Sequence, residues 1–320
     1  MSDELSAMSY LYDLIIIGAG PAGLTASIYA QRAALNALVL EKLAPGGQTL
    51  LSEKIENYPG FSQPISPQKL MEEMQKQAEN LGMRLKREEV EKIGIENNKK
   101  VVYTKSGGKY KTLSLIIASG CNQRKLGVEG EEKFIGRGVS YCATCDAPFF
   151  GNKKVAVVGG GNVAAEEALY LSKFADKVYL IHRRGMFRAE KILQERIFKN
   201  PKIEIIWKAV IERIYGEAEI EGVKIKNVET GEIKDLICSG IFIFIGLEPN
   251  TNFLRNVVKL DEMGFVNTNQ NLETDRKGVF ACGDVRKNAL KQVVIACGEG
   301  ALAAYAAQKY INEVKGIEYK

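Results

Sequence analysis

Cys142 and Cys145 have two residues between them in the segment S-Y-C-A-T-C-D, and Asp146 follows Cys145 directly. Two thiols at this spacing can form a strained, reducible ring that opens and closes by thiol–disulfide exchange. The other cysteines are isolated in sequence, and we predict that they are small buried apolar residues. They are Cys121, Cys238, Cys282 and Cys297. The pair therefore predicts electron-transfer chemistry.

A metal site is the alternative use of Cys142 and Cys145. The chain has a single histidine, His182, which excludes a histidine-rich metal site and argues against a Ser-His-Asp or Cys-His catalytic arrangement. Zinc bound by the two cysteines would lack two nearby ligands. A metal-binding pair in a non-enzymatic nucleotide-sensing protein is thus the weaker alternative.

The segment G-A-G-P-A-G begins at Gly18 and predicts a nucleotide-binding loop. The apolar run 13–17 before it is typical of a buried parallel strand, residues 24–34 have helical composition, and 35–41 predict the next strand. Glu41 follows Gly18 by 23 residues, where a carboxylate can bond a ribose hydroxyl. This βαβ context favours a dinucleotide site over a purely structural glycine turn.

A second βαβ unit follows the cysteines, with a predicted strand at 153–158, a loop at 159–164, a helix at 165–174 and a strand at 177–181. His182 follows Gly159 by 23 residues, and the basic side chains Arg183, Arg184 and Arg188 come next. Guanidinium groups bind a ribose 2′-phosphate, which a carboxylate would repel. We predict NADP at this loop and a dinucleotide without that phosphate, such as FAD, at the first; a solvated basic turn is the alternative.

Bulk composition limits the other classes of function. The chain has 320 residues and a formal net charge of +5, without a concentrated basic block, so we predict no nucleic-acid partner. Its apolar runs are too short to span a bilayer, which predicts no membrane partner. The first ten residues lack the pattern of a secretory signal, which favours a cytoplasmic location.

The remaining pattern predicts an α/β protein of two Rossmann-like domains. We expect a helix at 66–81, strands at 100–104, 110–113 and 115–118, and several strands between 203 and 245. Segments 120–130 and 246–252 are predicted crossovers. A strand at 279–282 and a long helix at 291–314 are too short for a third domain, so we expect them to return to the first unit. The second unit is then an insertion that can swivel on two hinges.

The chain resembles the low-molecular-weight thioredoxin reductases from about residue 12 to residue 310. The resemblance is based on GAGPAG at Gly18, GGQ at Gly46, ENYPGF at Glu56 and CATCD at Cys142, and on the following motifs nearer the carboxyl end. These are GGGN at Gly159, HRRxxFRA at His182 and GVFACGD at Gly278. CATCD just before the NADP loop, with HRR beyond it, is the specific combination.

The resemblance implies a homodimer with an FAD domain at 1–122 and 252–320 and an inserted NADPH domain at 123–251. The implied FAD contacts are Gly18, Gly20, Pro21, Ala22, Gly23, Glu41, Lys42, Gly46, Gly47, Gln48, Asn57, Gly283, Asp284, Lys291, Gln292 and Val293. The implied NADPH contacts are Gly159, Gly161, Asn162, Val163, Ala164, His182, Arg183, Arg184 and Arg188.

Three positions differ from the usual family pattern. Ala147-Pro148 follows the redox segment where glycine is usual after the aspartate, which predicts a stiffer chain. Lys291 replaces an arginine and loses the bidentate fork. The segment 119–121 reads Ser-Gly-Cys in place of Thr-Gly-Ala. None of these changes alters the reacting groups.

By resemblance, NADPH reduces the flavin, the flavin reduces the Cys142–Cys145 disulfide, and the dithiol reduces a thioredoxin-like protein. Cys142 is the implied nucleophile, Cys145 the sulfur nearer the flavin and Asp146 the general acid/base; a helix N-cap is the alternative role of Asp146. Nicotinamide and disulfide share one domain, so a domain rotation between half-reactions is expected. A flavoprotein dithiol oxidase and a reductase of another disulfide carrier are the alternative functions.

Overall fold

The computed structural model describes residues 11–52, 54–96, 99–287 and 290–317. The strands are β1 (Leu11–Ile17), β2 (Ala37–Glu41), β3 (Leu85–Arg87), β4 (Val90–Glu96), β5 (Lys99–Thr104), β6 (Lys109–Ile117), β7 (Cys121–Gln123), β8 (Val139–Ser140), β9 (Lys154–Gly159), β10 (Lys177–His182), β11 (Ile203–Trp207), β12 (Ala209–Tyr215), β13 (Gly222–Asn227), β14 (Ile233–Ile237), β15 (Gly240–Phe244), β16 (Leu247–Pro249) and β17 (Val279–Ala281).

The described residues contain six α-helices besides these strands. They are α1 (Pro21–Arg32), α2 (Pro67–Asn80), α3 (Ala143–Asp146), α4 (Asn162–Leu171), α5 (Lys191–Lys199) and α6 (Val293–Lys315). Short 3₁₀ helices cover Gly47–Leu51, Glu132–Phe134, Ala147–Phe150, Asn252–Leu254 and Gly283–Val285. Within the described ranges, no helix is both long and apolar enough to cross a membrane.

The larger sheet has the order β3-β2-β1-β6-β5-β4, and β17 pairs in parallel with β6. β1 is parallel to both of its neighbours, and its residues 14–17 are buried, as expected for a strand covered on both faces. α1 and α6 pack at close range, and Gly300 makes this possible because a Cβ there would lie 2.2 Å from the Ala22 carbonyl oxygen. The carboxyl-terminal strand and helix thus join the amino-terminal βαβ unit.

The second sheet is wholly parallel in the order β11-β10-β9-β15-β8, and an antiparallel meander, β12-β13-β14, follows β11 in sequence. Val155, Val157, Leu180 and Phe242 are fully buried in its core. In the larger sheet, β3, β2, β1, β6 and β17 are parallel, and β5 and β4 extend it in antiparallel pairing. The βαβ units of its parallel part and of the second sheet confirm the predicted Rossmann-like α/β fold.

One sequence-based expectation about regular structure is wrong, and a second is incomplete. The strands predicted at 110–113 and 115–118 form one strand, β6, because the buried Ser114 hydroxyl bonds the Gly278 carbonyl at 3.1 Å and so stays satisfied inside the sheet. The predicted crossovers contain β7 and β16, which form an antiparallel ladder from Cys121↔Pro249 to Gln123↔Leu247. Strands of three residues have too little periodicity to be recognised from sequence.

The long helices agree with prediction. The helix predicted at 66–81 is α2, and the Ser66 hydroxyl caps it by accepting from Lys69 N–H at 3.2 Å. The helix predicted at 291–314 is α6, which ends at Gly316 in a left-handed conformation.

Candidate redox and nucleotide-binding site

The two cysteines of the redox segment form a disulfide across a strand-to-helix turn. β8 ends at Ser140, Cys142 is the N-cap residue of α3, and Cys145 lies within that helix. The Cα atoms of Cys142 and Cys145 are 5.4 Å apart. Both residues are partly exposed, so the disulfide is accessible at the edge of the second sheet.

Asp146 is the last residue of α3, directly after Cys145, and is buried. Its Oδ2 accepts a hydrogen bond of 2.6 Å from the Ser140 hydroxyl, and that hydroxyl oxygen also accepts from Cys142 N–H at 3.1 Å. Asp146 is the residue before the 3₁₀ helix Ala147–Phe150, but its side chain makes no capping bond there. The geometry therefore does not favour the N-cap alternative, and the acid/base role stays a prediction.

The disulfide faces residues that belong to the larger sheet's half of the chain. The Gln292 side chain donates from Nε2 to Thr144 Oγ1 at 3.0 Å and lies 3.9 Å from Cys142 Sγ. Asn57 Nδ2 donates to Gln292 Oε1 at 2.9 Å. Two predicted flavin contacts are thus adjacent to the redox pair.

The first glycine loop connects β1 to the amino end of α1. Gly18 has φ +104°, and a Cβ there would lie 2.4 Å from the Ala118 carbonyl oxygen, so this position requires glycine. A Cβ on Gly23 would lie 1.8 Å from the Gly18 oxygen. Gly20, in contrast, faces open space, which is the room that a pyrophosphate needs at a helix amino terminus.

Glu41 and the Gly46-Gly47 turn surround the first loop. Glu41 accepts hydrogen bonds from Ala19 N–H at 2.7 Å and Leu43 N–H at 3.0 Å. Gly46 N–H donates to the Ala19 carbonyl at 2.9 Å, and a Cβ on Gly47 would lie 3.5 Å from the Gly20 Cα. These residues enclose the open space at Gly20, and the set fits the adenosine diphosphate half of FAD.

The segment after β17 contributes a second wall. Burial raises the pKa of Asp284, and the Lys291 ammonium partly opposes this effect. Lys291 Nζ donates to the Asp284 carbonyl at 2.9 Å, and Gly283 N–H donates to Glu299 Oε2 at 2.7 Å. The Lys291 side chain thus binds the backbone of this loop. Val293 is the first residue of α6.

The second glycine loop repeats this geometry between β9 and α4. A Cβ on Gly159 would lie 2.5 Å from the Phe244 carbonyl oxygen, whereas Gly161 faces open space. Arg188 N–H donates to the Gly160 carbonyl at 2.8 Å, which positions the basic segment beside the loop. Ala164 occupies the position of Gly23, in agreement with the predicted tolerance for a small residue.

The basic segment places three exposed guanidinium groups, those of Arg183, Arg184 and Arg188, after β10. A cavity of about 970 Å³ lies beside them and is lined by Gly159, Arg183 and Arg188 among others. Its volume is at the upper end of what small-molecule sites show. The arginines can reach an anionic ligand in this cavity, as the NADP prediction requires.

His182 differs from its arginine neighbours because its ring is buried. The ring packs on Phe187 and Trp207, and its Nε2 lies 3.1 Å from the Met186 carbonyl. Burial lowers the pKa of His182, and the adjacent arginines act in the same direction. A Cβ on Gly160 would lie 2.2 Å from this ring. His182 therefore supports the loop from below.

Four other predicted nucleotide contacts lie at the surface. Asn162 directs its amide to Glu190, with bonds of 2.8 and 3.0 Å, and so fixes the segment after Arg188. Val163 is exposed at the start of α4, and Lys42 is exposed after β2. Gln48 Nε2 donates to Asn122 Oδ1 at 3.2 Å, in strand β7.

Sequence reasoning missed several residues of these sites. Ser140 and Thr144 contact Asp146 and Cys142, respectively, and Glu299 binds the loop after β17. Arg124 lines the same cavity as Arg188. Ser140 and Thr144 stand inside the cysteine segment and could have been found by their hydroxyls, whereas Glu299 has no local signal.

Comparison with known proteins decides the family. The sequence profile of the pyridine nucleotide-disulphide oxidoreductases matches residues 12–300. The chain belongs to this family. It is 46% identical to the thioredoxin reductase of Treponema pallidum, over 95% of this chain and 98% of that protein. The family relationship makes the chain an oxidoreductase and confirms the resemblance to the thioredoxin reductases.

Two solved structures refine the comparison. The thioredoxin reductase of Streptococcus pyogenes is 41% identical, covers 95% of this chain and 99% of its own, and superposes with a TM-score of 0.91. That of Lactococcus lactis in its FR conformation is 42% identical, covers 94% and 99%, and gives 0.66. The identities are nearly equal, but the second structure superposes less well on this chain over its whole length.

Proposed function

We propose that the chain is an NADPH-dependent, FAD-containing thioredoxin-disulfide reductase. The observation that supports this most directly is the position of the Cys142–Cys145 disulfide. It contacts Gln292, at the amino end of α6, and it follows β8 in the same sheet as β9, the strand that leads into the second loop. A redox pair at this junction can accept electrons on one side and pass them on after moving.

We assign FAD to residues 1–122 and 252–320 and NADPH to residues 123–251. Flavin, when bound, supplies the conversion between hydride transfer and disulfide reduction. The first loop and Glu41 would bind its adenosine half, Asp284 would line the same site, and Arg183 and Arg188 would bind the NADPH 2′-phosphate. Cys142 would attack the partner disulfide, and Asp146 would exchange the proton that disulfide reduction requires.

The proposed partner is a thioredoxin-like protein, since the relatives and solved structures named above are thioredoxin reductases. The homodimer and the cytoplasmic location stay predictions. The dithiol-oxidase alternative is disfavoured by the exposed arginines beside the second loop, which an enzyme without NADPH does not need.

The test is turnover of a purified thioredoxin with NADPH or NADH. We expect NADPH oxidation only when thioredoxin is present, and a clear preference for NADPH in kcat/KM. Arg183→Ala combined with Arg188→Ala should lower kcat/KM for NADPH by roughly 10- to 100-fold, the effect of losing charge-assisted hydrogen bonds of ~1.5–3 kcal/mol. Its kcat/KM for NADH should change by less than about threefold.

Lys199→Ala is the matched control, because this cation lies at the end of α5 and should not affect nucleotide preference. Equal efficiency with NADPH and NADH in the unmodified protein would refute the phosphate assignment. Absence of thioredoxin-dependent NADPH oxidation in the flavin-loaded protein would refute the proposed acceptor.

A further inference from the structure

A hydrogen-bond network connects Asn57, Gln292 and Thr144 to the sulfur of Cys142. Asn57 Nδ2 donates to Gln292 Oε1 at 2.9 Å, and Gln292 Nε2 donates to Thr144 Oγ1 at 3.0 Å. Thr144 Oγ1 lies 3.4 Å from Cys142 Sγ, within the range of a hydrogen bond to sulfur. The network joins positions 57 and 292 to the redox segment.

The direction of these bonds is fixed. Cys142 Sγ has no hydrogen in the disulfide, so the Thr144 hydroxyl must be the donor to sulfur. Because the Thr144 oxygen accepts from Gln292, the proton of the Thr144 hydroxyl is available for a hydrogen bond to Cys142. Gln292 Nε2 is a further donor, 3.9 Å from the same sulfur. Two neutral donors therefore point at one sulfur atom.

These donors favour the reduced pair. Reduction takes up two electrons and one proton, breaks the S–S bond and leaves one thiolate and one thiol. Disulfide sulfur is a weak acceptor, whereas hydrogen bonds to an anion are roughly twice as strong as neutral ones. In the part of the chain that the structure describes, no lysine, arginine or histidine donates to Cys142 Sγ. The stabilisation therefore depends on neutral donors.

We infer that Thr144, oriented by Gln292, stabilises the Cys142 thiolate and thereby raises the reduction potential of the Cys142–Cys145 pair. The inference rests on the proposed function, in which this pair is reduced in every turnover. Its consequence is that the pair accepts electrons more readily while it contacts Gln292 than it would without that contact.

The experiment measures the reduction potential of the pair in the purified, flavin-loaded protein at pH 7. The protein is equilibrated with defined ratios of reduced and oxidised dithiothreitol, and alkylation followed by mass analysis gives the fraction of reduced Cys142 and Cys145. Thr144→Val, which replaces the hydroxyl by a methyl group, should shift the equilibrium toward the disulfide about tenfold, equivalent to ~30 mV for a two-electron couple.

Two further variants show whether the hydroxyl is responsible. Thr144→Ser restores the hydroxyl and should return the equilibrium to within about threefold of the unmodified protein. Thr144→Ala should behave like Thr144→Val, so the test survives if one of them does not fold. Thr230→Val is the matched control, because the hydroxyl of Thr230 accepts from Glu232 N–H in a turn of the meander, and it should leave the potential unchanged.

The inference would be overturned if the equilibrium constants for reduction of Thr144→Val and Thr144→Ala lay within twofold of that of the unmodified protein. It would also be overturned if Thr144→Ser behaved like Thr144→Val. The potential is measured without thioredoxin. A shift in potential together with absent thioredoxin turnover would therefore refute the proposed acceptor and leave this inference standing.

Discussion

Asp146 and Ser140 form the polar floor of the redox segment. Both side chains are buried, and the 2.6 Å bond from the Ser140 hydroxyl fixes one carboxylate oxygen. The Ser140 hydroxyl also binds Cys142 N–H, so the position of Asp146 relative to the disulfide is determined by two hydrogen bonds. A carboxyl group held this firmly can take or give a proton without reorganisation.

Asp146→Asn keeps the size of this side chain and an oxygen that can accept from the Ser140 hydroxyl, but its amide cannot take up or release a proton. General acid–base groups typically contribute about 10²–10⁴ in rate. We expect kcat for thioredoxin turnover with saturating NADPH to fall by a factor of about 10²–10⁴. Flavin content should not change, because Asp146 is not one of the residues proposed to contact FAD.

Asp235→Asn is the control for this substitution. Asp235 is exposed in β14 and pairs with Lys224, and its replacement should leave turnover unchanged. If Asp146→Asn retained full turnover, the residue would have only a structural role.

At the scale of secondary structure elements, one lysine connects a sheet to a helix. Lys100 in β5 is buried, and its ammonium donates to the Leu113 carbonyl of β6 at 2.7 Å and to the Tyr310 hydroxyl of α6 at 3.1 Å. Burial lowers the pKa of Lys100 to about 8, and the nearby Lys277 charge acts in the same direction. The carboxyl-terminal helix is therefore attached to the first sheet at an electrostatic cost.

This cost predicts a pH dependence of stability. In the unfolded chain a lysine has a pKa of about 10.4, so the unfolded state binds more protons than the folded state between about pH 8 and 10.4. Stability contributed by Lys100 should therefore rise with pH across this window. Relative to Lys100→Met, the unmodified protein should gain about 1–3 kcal/mol of unfolding free energy from pH 7 to pH 10.

Thermal unfolding of both proteins at several pH values measures this gain. Lys99→Met serves as the control, because Lys99 precedes Lys100 on the same strand and is exposed; its difference from the unmodified protein should not depend on pH. A constant difference between the unmodified protein and Lys100→Met from pH 7 to pH 10 would contradict the expectation.

At the scale of the whole molecule, contacts between the two halves hold the disulfide toward Gln292. Besides the bond from Gln292 to Thr144, the Lys54 ammonium lies over the Phe149 ring at 5.5 Å. Such polar, small contacts are typical of domain interfaces that open and close. The two TM-scores, 0.91 and 0.66 at nearly equal identity, are consistent with a family that adopts more than one arrangement.

Cross-linking should therefore stop the catalytic cycle. Lys54→Cys combined with Phe149→Cys, joined by a short bis-maleimide, would hold the arrangement described above. We expect thioredoxin turnover with NADPH to fall at least tenfold, because the disulfide and the nicotinamide would need the same approach to the flavin. The measurement is turnover before and after cross-linking, with the cross-linked fraction determined by mass spectrometry.

Lys54→Cys alone, Phe149→Cys alone and the unmodified protein are treated with the same reagent as controls. They show the effect of modifying other thiols, such as the partly exposed Cys297. Full turnover by the cross-linked protein would show that the cycle needs no separation of these two surfaces.

Both βαβ units, the redox pair and the basic segment at 183–188 are recognisable from residue types and spacing. Each of these depends on residues close together in the chain. Gly18 must adopt positive φ directly after β1, for example, and Cys142 and Cys145 are brought together by a single turn of chain. Spacing and residue type are sufficient where geometry is local.

The tertiary structure alone decided which side chains face these motifs. Gln292 reaches Cys142 across 150 residues of sequence, Glu299 binds Gly283 N–H from the next helix, and the ring of His182 turns beneath Gly160. Such contacts depend on how α6 packs against α1 and how the two sheets are joined. That packing is the sum of many long-range apolar contacts, which no short segment of sequence encodes.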